Sequence, residues 1–335
     1  MRFELPEGVE ASGPSTVRDG VRLLVAEPGR VEHARFAQLP GFLRAGDLVV
    51  VNTSGTLAAA VDGVRAGGRA VTVHFATALD DSAWVVEVRP REDASGPVPD
   101  LEPGEVIELP DGLPLRIGVA HPPGQHRLWR AGVAVEGGVP AYLERHGRPI
   151  RYGYVPAPVP LAEYQTVFAR DPGSAEMPSA GRPFTAELVV DLVTRGIGVA
   201  PITLHTGVSS QEAGEPPQPE RFEVPESTAR AVNAARAWGS RVVAVGTTVT
   251  RALESAADDG GVVRARRGWT DLVLGPQRPA RVVTGLVTGW HAPGASHLDL
   301  LEAVAGADLV ERAYSAAVRA RYLWHEFGDS CLLLP

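Results

Sequence analysis

The sequence predicts a mixed α/β protein: a large α/β domain with a small antiparallel β-barrel domain inserted into it. Three observations carry that expectation. Apolar runs alternate with helical spacing from residue 184 to residue 324. Between 57 and 150 only short β-rich runs occur, separated by Gly, Pro and Asp turns. Finally, the apolar run Val242–Val245 meets Gly246-Thr247-Thr248 and then a helical segment, so a buried strand feeds a helix through a small-residue corner.

The elements follow in order. Residues 21–25 read as a strand, 36–43 as a turn or short helix, and 47–52 as a second, more buried strand. Within the insert, 71–75, 84–88, 106–109, 115–119 and 126–129 read as barrel strands with no helix among them. Trp84 and Trp129 there can fill its small core or stack on bases. Residues 156–160 form a stiff Pro-rich connector. Beyond it, 184–194 reads as a helix capped by Thr185 and stopped by Gly196, then 198–204 as a strand. The stretch 208–221, rich in Pro, Gln, Glu and Gly, reads as a mobile loop. Residues 225–238 are helical with Gly239 at the end, 249–257 are helical, 271–274 and 281–283 are strands. Two helices, 298–305 and 308–324, complete the expected plan. The domain boundaries are thus 1–56 with 151–335 for the large unit and 57–150 for the insert.

Composition limits the function. With 335 residues, 44% of them hydrophobic and 21% charged, the chain reads as globular. It has no apolar run of the ~18 residues a membrane helix needs, and its first residues lack the apolar core of a signal peptide. The one cysteine, Cys331, excludes an internal disulfide and reads as a buried thiol of a cytoplasmic protein. The net charge of −8 weakens, without excluding, a grip on nucleic acid. No Cys/His spacing for a metal occurs.

The Gly246-Thr247-Thr248 corner can hold an anion or the polar edge of a nucleoside, or serve only as structure. Arg251 and Glu254 lie one turn apart and read as an exposed pair or a ligand contact. His291 follows a strand and suits acid/base work. His205 ends a strand where an open sheet places ligands. Tyr164 and Gln165 can cover a purine or satisfy each other. Asp271 and Asp329 can face a cation or cap turns. The turn at 178–181 would present amides of Ser179 and Gly181 to a ligand.

Taken in order and spacing, Phe3-Glu-Leu-Pro6, Tyr164-Gln-Thr-Val-Phe-Ala169, Pro178-Ser-Ala-Gly181, Thr203-Leu-His205, Gly246-Thr-Thr248 with Arg251 and Glu254, Gly268-Trp-Thr-Asp271, His291 with Pro293, and Gly328-Asp329 resemble the S-adenosylmethionine:tRNA ribosyltransferase-isomerases of queuosine synthesis. The resemblance runs along nearly the whole chain. It implies transfer of the ribosyl part of S-adenosylmethionine to a 7-aminomethyl-7-deazaguanine in tRNA, with release of adenine and methionine and no metal. The sulfonium acidifies the ribose C5′ protons, so such a site needs a base, donors to the departing adenine, acidic groups and little water. On that basis His291, His205 and Asp329 are the expected catalytic residues. Gly246, Thr247, Thr248, Arg251, Tyr164, Gln165, Ser179 and Gly181 are expected to bind S-adenosylmethionine.

Several motifs depart from the family. Pro-Ser-Ala-Gly-Arg-Pro-Phe-Thr185 carries Pro183 where the family has histidine, and Asn52-Thr-Ser-Gly55 replaces Asn-Asp-Thr-Arg. Arg182, His297 and Asp299 are new polar groups. Three readings stay open: the family reaction on tRNA; use of S-adenosylmethionine on a small-molecule acceptor or in a lyase or elimination reaction; and a non-catalytic nucleoside- or RNA-binding paralogue.

Overall fold

The computed structural model describes residues 3–80, 82–91, 96–208 and 217–335. The chain opens with β1 (Arg22–Glu27), β2 (Arg30–Arg35), β3 (Leu48–Asn52) and the short β4 (Ser54–Thr56). Six antiparallel strands then close a barrel: β5 (Ala60–Arg65), β6 (Ala70–Ala78), β7 (Ala83–Pro90), β8 (Val106–Leu109), β9 (Leu113–Ala120) and β10 (Leu128–Gly132). After α1 (Gly138–His146), β11 (Asp171–Ser174) returns to pair in parallel with β4. The remaining elements are α2 (Ala186–Thr194), β12 (Gly198–Leu204), β13 (Glu220–Val224), α3 (Glu226–Ala237), β14 (Val242–Val245) and α4 (Thr247–Ala256). Then come β15 (Arg266–Thr270), β16 (Gly285–Thr288), α5 (His297–Ala305), α6 (Ala307–Arg319) and β17 (Ser330–Leu333).

Nine strands form one sheet in the order β15-β13-β12-β3-β14-β16-β17-β1-β2, with β12, β3, β14 and β16 mutually parallel. Its centre is apolar on both faces, as a parallel sheet covered by helices must be. Leu48, Val50 and Ala244 face α3 to α6, whereas Val49, Val51, Val243 and Val245 face Phe36, Phe184 and Leu188. From β3 the chain moves outward to β12, then crosses back to β14 and β16. The strand order therefore reverses between β3 and β14, where open α/β sheets bind ligands beyond the strand ends.

The expected caps form. Thr185 Oγ1 accepts from the Leu188 amide at 3.1 Å, and Gly196 takes φ 78° just past α2. Trp84 and Trp129 are both buried in the barrel core. Four expectations need correction. The helix α1 was not foreseen; Val139, Tyr142 and Leu143 pack on the barrel, and the Tyr142 hydroxyl donates to Pro110 O at 2.9 Å. Residues 271–274 and 281–283 are not strands. Leu272, Leu274, Val282 and Val283 are buried without pairing, and the strand lies earlier, at β15. The last helix stops at Arg319, because Tyr322 N–H closes onto Ala317 O at 3.0 Å and Arg321 turns to φ 50°. Of the loop expected at 208–221, residues 209–216 lie outside the described residues, and Glu220 already starts β13.

Candidate active site

The carboxyl ends of β14 and β16 open onto a cavity of about 660 Å³. One wall is the corner between β14 and α4. Gly246 sits at φ 93°, ψ 161°, a region in which a side chain is strained. A Cβ there would also stand 3.3 Å from that of Ala180. Its N–H continues the sheet by donating to Val287 O at 2.8 Å, so it does not serve a ligand. The amides that follow, at the start of α4, have no carbonyl one turn back to accept them. Thr247 and Thr248 line the cavity, and Asn52 Nδ2 donates to Thr248 Oγ1 at 3.3 Å. Gly246→Ala should lower unfolding stability by about 1–3 kcal/mol, which a urea titration will read.

Arg251 and Glu254 are buried and do not pair with each other, contrary to an exposed i,i+3 pair. Arg251 is ion-paired with Glu220 and donates through Nε to Leu272 O at 3.1 Å and through Nη2 to Thr270 O at 3.2 Å. Glu254 accepts the amides of Arg281, Val282 and Val283 at 2.9, 2.9 and 3.0 Å. It thus holds the unpaired strand-like segment in place. Arg251 is the one of the two that reaches the cavity.

His291 leaves the end of β16, half-buried, with Nε2 3.1 Å from Thr288 Oγ1. Its amide donates to the Tyr314 hydroxyl at 3.3 Å, and its ring stacks on His297 with centroids 4.5 Å apart and planes 2° from parallel. Burial, then the neighbouring His297 and His325, hold its pKa well below the ordinary 6.5. Burial, then the Arg251 charge, bring His297 to about 4. Both rings are therefore neutral near pH 7, the state in which an imidazole accepts a proton. With Thr288 Oγ1 donating to Gly289 O at 3.2 Å, the Nε2–H tautomer of His291 would donate to Thr288 and keep the Nδ1 lone pair free.

Three carboxyl groups face the same space: Glu176, Glu220 and Glu326. Glu176 accepts from the Tyr152 hydroxyl, and Glu326 from the Tyr154 hydroxyl at 2.5 Å. Burial raises the pKa of both Glu220 and Glu326, with Arg251 pulling against it at Glu220. Burial and the adjacent carboxylates raise Tyr152 and Tyr154 far enough that both remain donors. Tyr154 stacks on His325 at 4.2 Å and 13°. Arg89 reaches the cavity from the barrel, its Nε held 2.9 Å from the buried Glu87. Tyr164 also lines it, and its buried hydroxyl has no protein partner among the described residues; the same holds for the Trp290 indole N–H. No group of three or more His, Cys, Asp or Glu among the described residues is placed to hold a metal.

Of the expected site residues, Gly246, Thr247, Thr248, Arg251, Tyr164, Ser179 and His291 line this one cavity. Four others do not. Gly181 lies behind Ser179, its N–H closing the turn onto Pro178 O at 3.0 Å rather than facing a ligand. Gln165 clasps the backbone of Thr56, accepting its N–H at 3.0 Å and donating to its O at 2.8 Å. His205 stands outside the lining, with Nδ1 2.7 Å from Ser54 Oγ, and Gly173 is bare where a Cβ would collide with its ring at 2.4 Å. Asp329 is a structural clasp: it accepts from Arg22 N at 2.8 Å, Arg22 Nε at 2.9 Å and Leu323 N at 2.7 Å. Asp271 is exposed. Sequence reading missed Tyr152, Tyr154, Glu176, His325 and Glu326. The first two fall just before the 156–160 connector, in a stretch with no predicted element, and no spacing marks the carboxylates.

A family model described as queuosine biosynthesis protein matches residues 1–333. The S-adenosylmethionine:tRNA ribosyltransferase-isomerase of Symbiobacterium thermophilum is 38% identical over 343 residues, covering 99% of this chain and 98% of its own. That of Moorella thermoacetica is 37% identical over 343 residues, with the same coverage of 99% and 98%. Among solved structures, the S-adenosylmethionine tRNA ribosyltransferase of Thermotoga maritima matches with a TM-score of 0.54 at 26% identity, covering 99% of each chain.

Proposed function

This chain belongs to the queuosine biosynthesis protein family, and from that premise we propose that it is an S-adenosylmethionine:tRNA ribosyltransferase-isomerase acting on a 7-aminomethyl-7-deazaguanine in tRNA. The observation that carries the reading is the end-to-end match, residues 1–333, to relatives bearing that name. S-adenosylmethionine brings to such a site a sulfonium that acidifies the ribose beside it and a ribosyl group to hand over. The residues present suit it. Glu176, Glu220 and Glu326 give the cavity acidic character for a cation. The first amides of α4 and the hydroxyls of Thr247 and Thr248 suit a carboxylate or ribose. The unpartnered Tyr164 hydroxyl offers a donor, which burial keeps protonated with its pKa raised to about 12.

In this reading His291 takes a proton at Nδ1 while Thr288 and the stacked His297 fix its plane. Arg251 acts through Glu220, because its guanidinium is committed to that carboxylate and to backbone carbonyls. The changes at Pro183 and at 52–55 had suggested another acceptor. Of the positions that differ, however, Thr53 Oγ1 bonds Ile202 O at 3.1 Å and Thr203 Oγ1 at 2.8 Å, and Ser54 and Gly55 pair with β11, which are structural duties. No observation favours a small acceptor, a lyase or a non-catalytic paralogue. We further take 57–150 as an inserted unit and place the protein in the cytoplasm, with its tRNA. No described helix is long and apolar enough to cross a membrane. Purified protein given S-adenosylmethionine and tRNA carrying the deazaguanine should release adenine and methionine and leave a ribosyl-derived mass on the RNA. Absence of adenine release with that tRNA sinks the proposal.

A further inference from the structure

A second cavity, of about 150 Å³, lies against the first. Gly207, Val208 and Gln218 line both, so these residues lie between the two. The partition is close-packed: a Cβ on Gly207 would stand 3.1 Å from Thr77 Oγ1. The second cavity spans the two structural units. Ala76, Leu79, Val85, His121 and Leu128 come from the barrel, and Trp269 comes from β15, the outermost strand of the large sheet.

Trp269 is 40% exposed, so part of its ring stays open to solvent beside the cavity. Arg221 faces it in register across β13 and β15, with Cζ 5.4 Å from the ring centroid. A tryptophan backed by an arginine is a platform on which any nucleobase can stack, with the cation near enough to meet a phosphate. The slot is mainly apolar, with His121, Thr77 and Gln218 as hydrogen-bonding groups. Burial, then the Arg130 charge, lower the His121 pKa, so its ring is neutral and can both donate and accept at a base edge. An apolar slot walled by an indole ring, with a few hydrogen-bonding groups in its lining, suits a heterocycle better than an aliphatic chain or a peptide.

We infer that this second cavity is a stacking subsite for a nucleobase adjacent to the reacting nucleotide of the RNA substrate, with Trp269 as its platform. The inference rests on the tRNA-directed reading above. It explains how a chain with a net charge of −8 holds RNA: by stacking and a few local arginines rather than by a broad basic surface. It also makes the partition at Gly207 the place where two consecutive bases part, one into each cavity.

The test uses an anticodon stem-loop RNA with 2-aminopurine placed on either side of the reacting position, titrated with full-length protein. Wild type should quench the probe at one of the two positions. Trp269→Ala should abolish that quench, weaken RNA binding ~5- to 100-fold and raise KM for RNA more than it lowers kcat, with S-adenosylmethionine affinity retained. Trp269→Phe should restore both quench and affinity. If the alanine variant does not fold, Trp269→Leu supplies bulk without a π-face and should show the same loss. A leucine or alanine variant that binds and quenches like wild type overturns the inference while leaving the family reaction intact. Wild-type protein that turns over the RNA yet quenches neither probe also overturns it. Failure of wild type to bind the RNA at all instead removes the reading beneath it.

Discussion

Replacing His291 with alanine is expected to reduce kcat by ~10²- to 10⁴-fold, the range for loss of a positioned general base, while S-adenosylmethionine still binds. The expectation follows from what the ring does and does not touch. Its Nε2 is given to Thr288 and its face to His297, so the side chain is oriented within the cavity without carrying the fold. Steady-state kinetics beside calorimetry separates the two roles. A variant that keeps wild-type kcat removes His291 from the chemistry, and one that loses cofactor binding as well makes it a structural residue. Imidazole added to the alanine variant should recover part of the rate, since the cavity left behind can admit it.

The pH profile gives an independent reading of the same residue. A base must be unprotonated, and burial depresses the pKa of His291 well below 6.5. The wild-type rate should then be level through neutrality and fall only in acid, below the range of an ordinary histidine. His297→Ala lets water reach the ring and removes a neighbour that becomes cationic in acid. The His291 pKa should rise, and the acid limb of kcat/KM should move up toward 6.5. A limb that stays in place would show that another group titrates there, and Glu326, whose pKa burial raises, is the alternative to test next.

How far the sequence disclosed this site depends on the scale of the signal. The barrel was legible because β6, β7 and β9 keep apolar residues on its inner face between turns. The corner at Gly246 was legible because a strand of four buried residues ends at a glycine and a helix begins at once. Side-chain partnership was not. Arg251 and Glu254 are three residues apart, a spacing that suggests a surface pair. Their actual partners, Glu220 and the 281–283 backbone, come from other segments. Asp329 looked like a site carboxylate, but the chain folds β1 back beside β17 and delivers Arg22 to it. The run at 271–283 defeated pattern reading for a related reason: its buried residues are spaced much as in a strand, but the amides of Val282 and Val283 are satisfied by the Glu254 carboxylate rather than by a neighbouring strand.

Arg251→Ala is expected to cost about 3–5 kcal/mol of unfolding stability, the range for breaking a buried ion pair from one side. Arg251 and Glu220 are 8% and 12% exposed at the side chain, so water cannot replace the guanidinium freely. Among the described residues, truncation leaves the Glu220 carboxylate with the Gly207 amide at 3.1 Å, and strips donors from Leu272 O and Thr270 O. Lysine should not rescue, because one ammonium cannot reach a carboxylate and two carbonyls as a planar fork does. The loss should depend on pH with a defined sign. Burial already raises the Glu220 pKa above its unfolded value, and removing Arg251 raises it further. Between the unfolded and folded pKa values the native state binds more protons, so stability rises as pH falls. The deficit of the alanine variant should therefore be largest near pH 7 and shrink toward acid pH. Glu220→Gln added to Arg251→Ala removes the stranded charge, so the double variant should be more stable at pH 7 than Arg251→Ala alone, a coupling that urea titrations of the full cycle will measure. If instead the two losses add, the pair does not work as a unit, and Arg251 supports the cavity wall only through the carbonyls of the 270–272 segment.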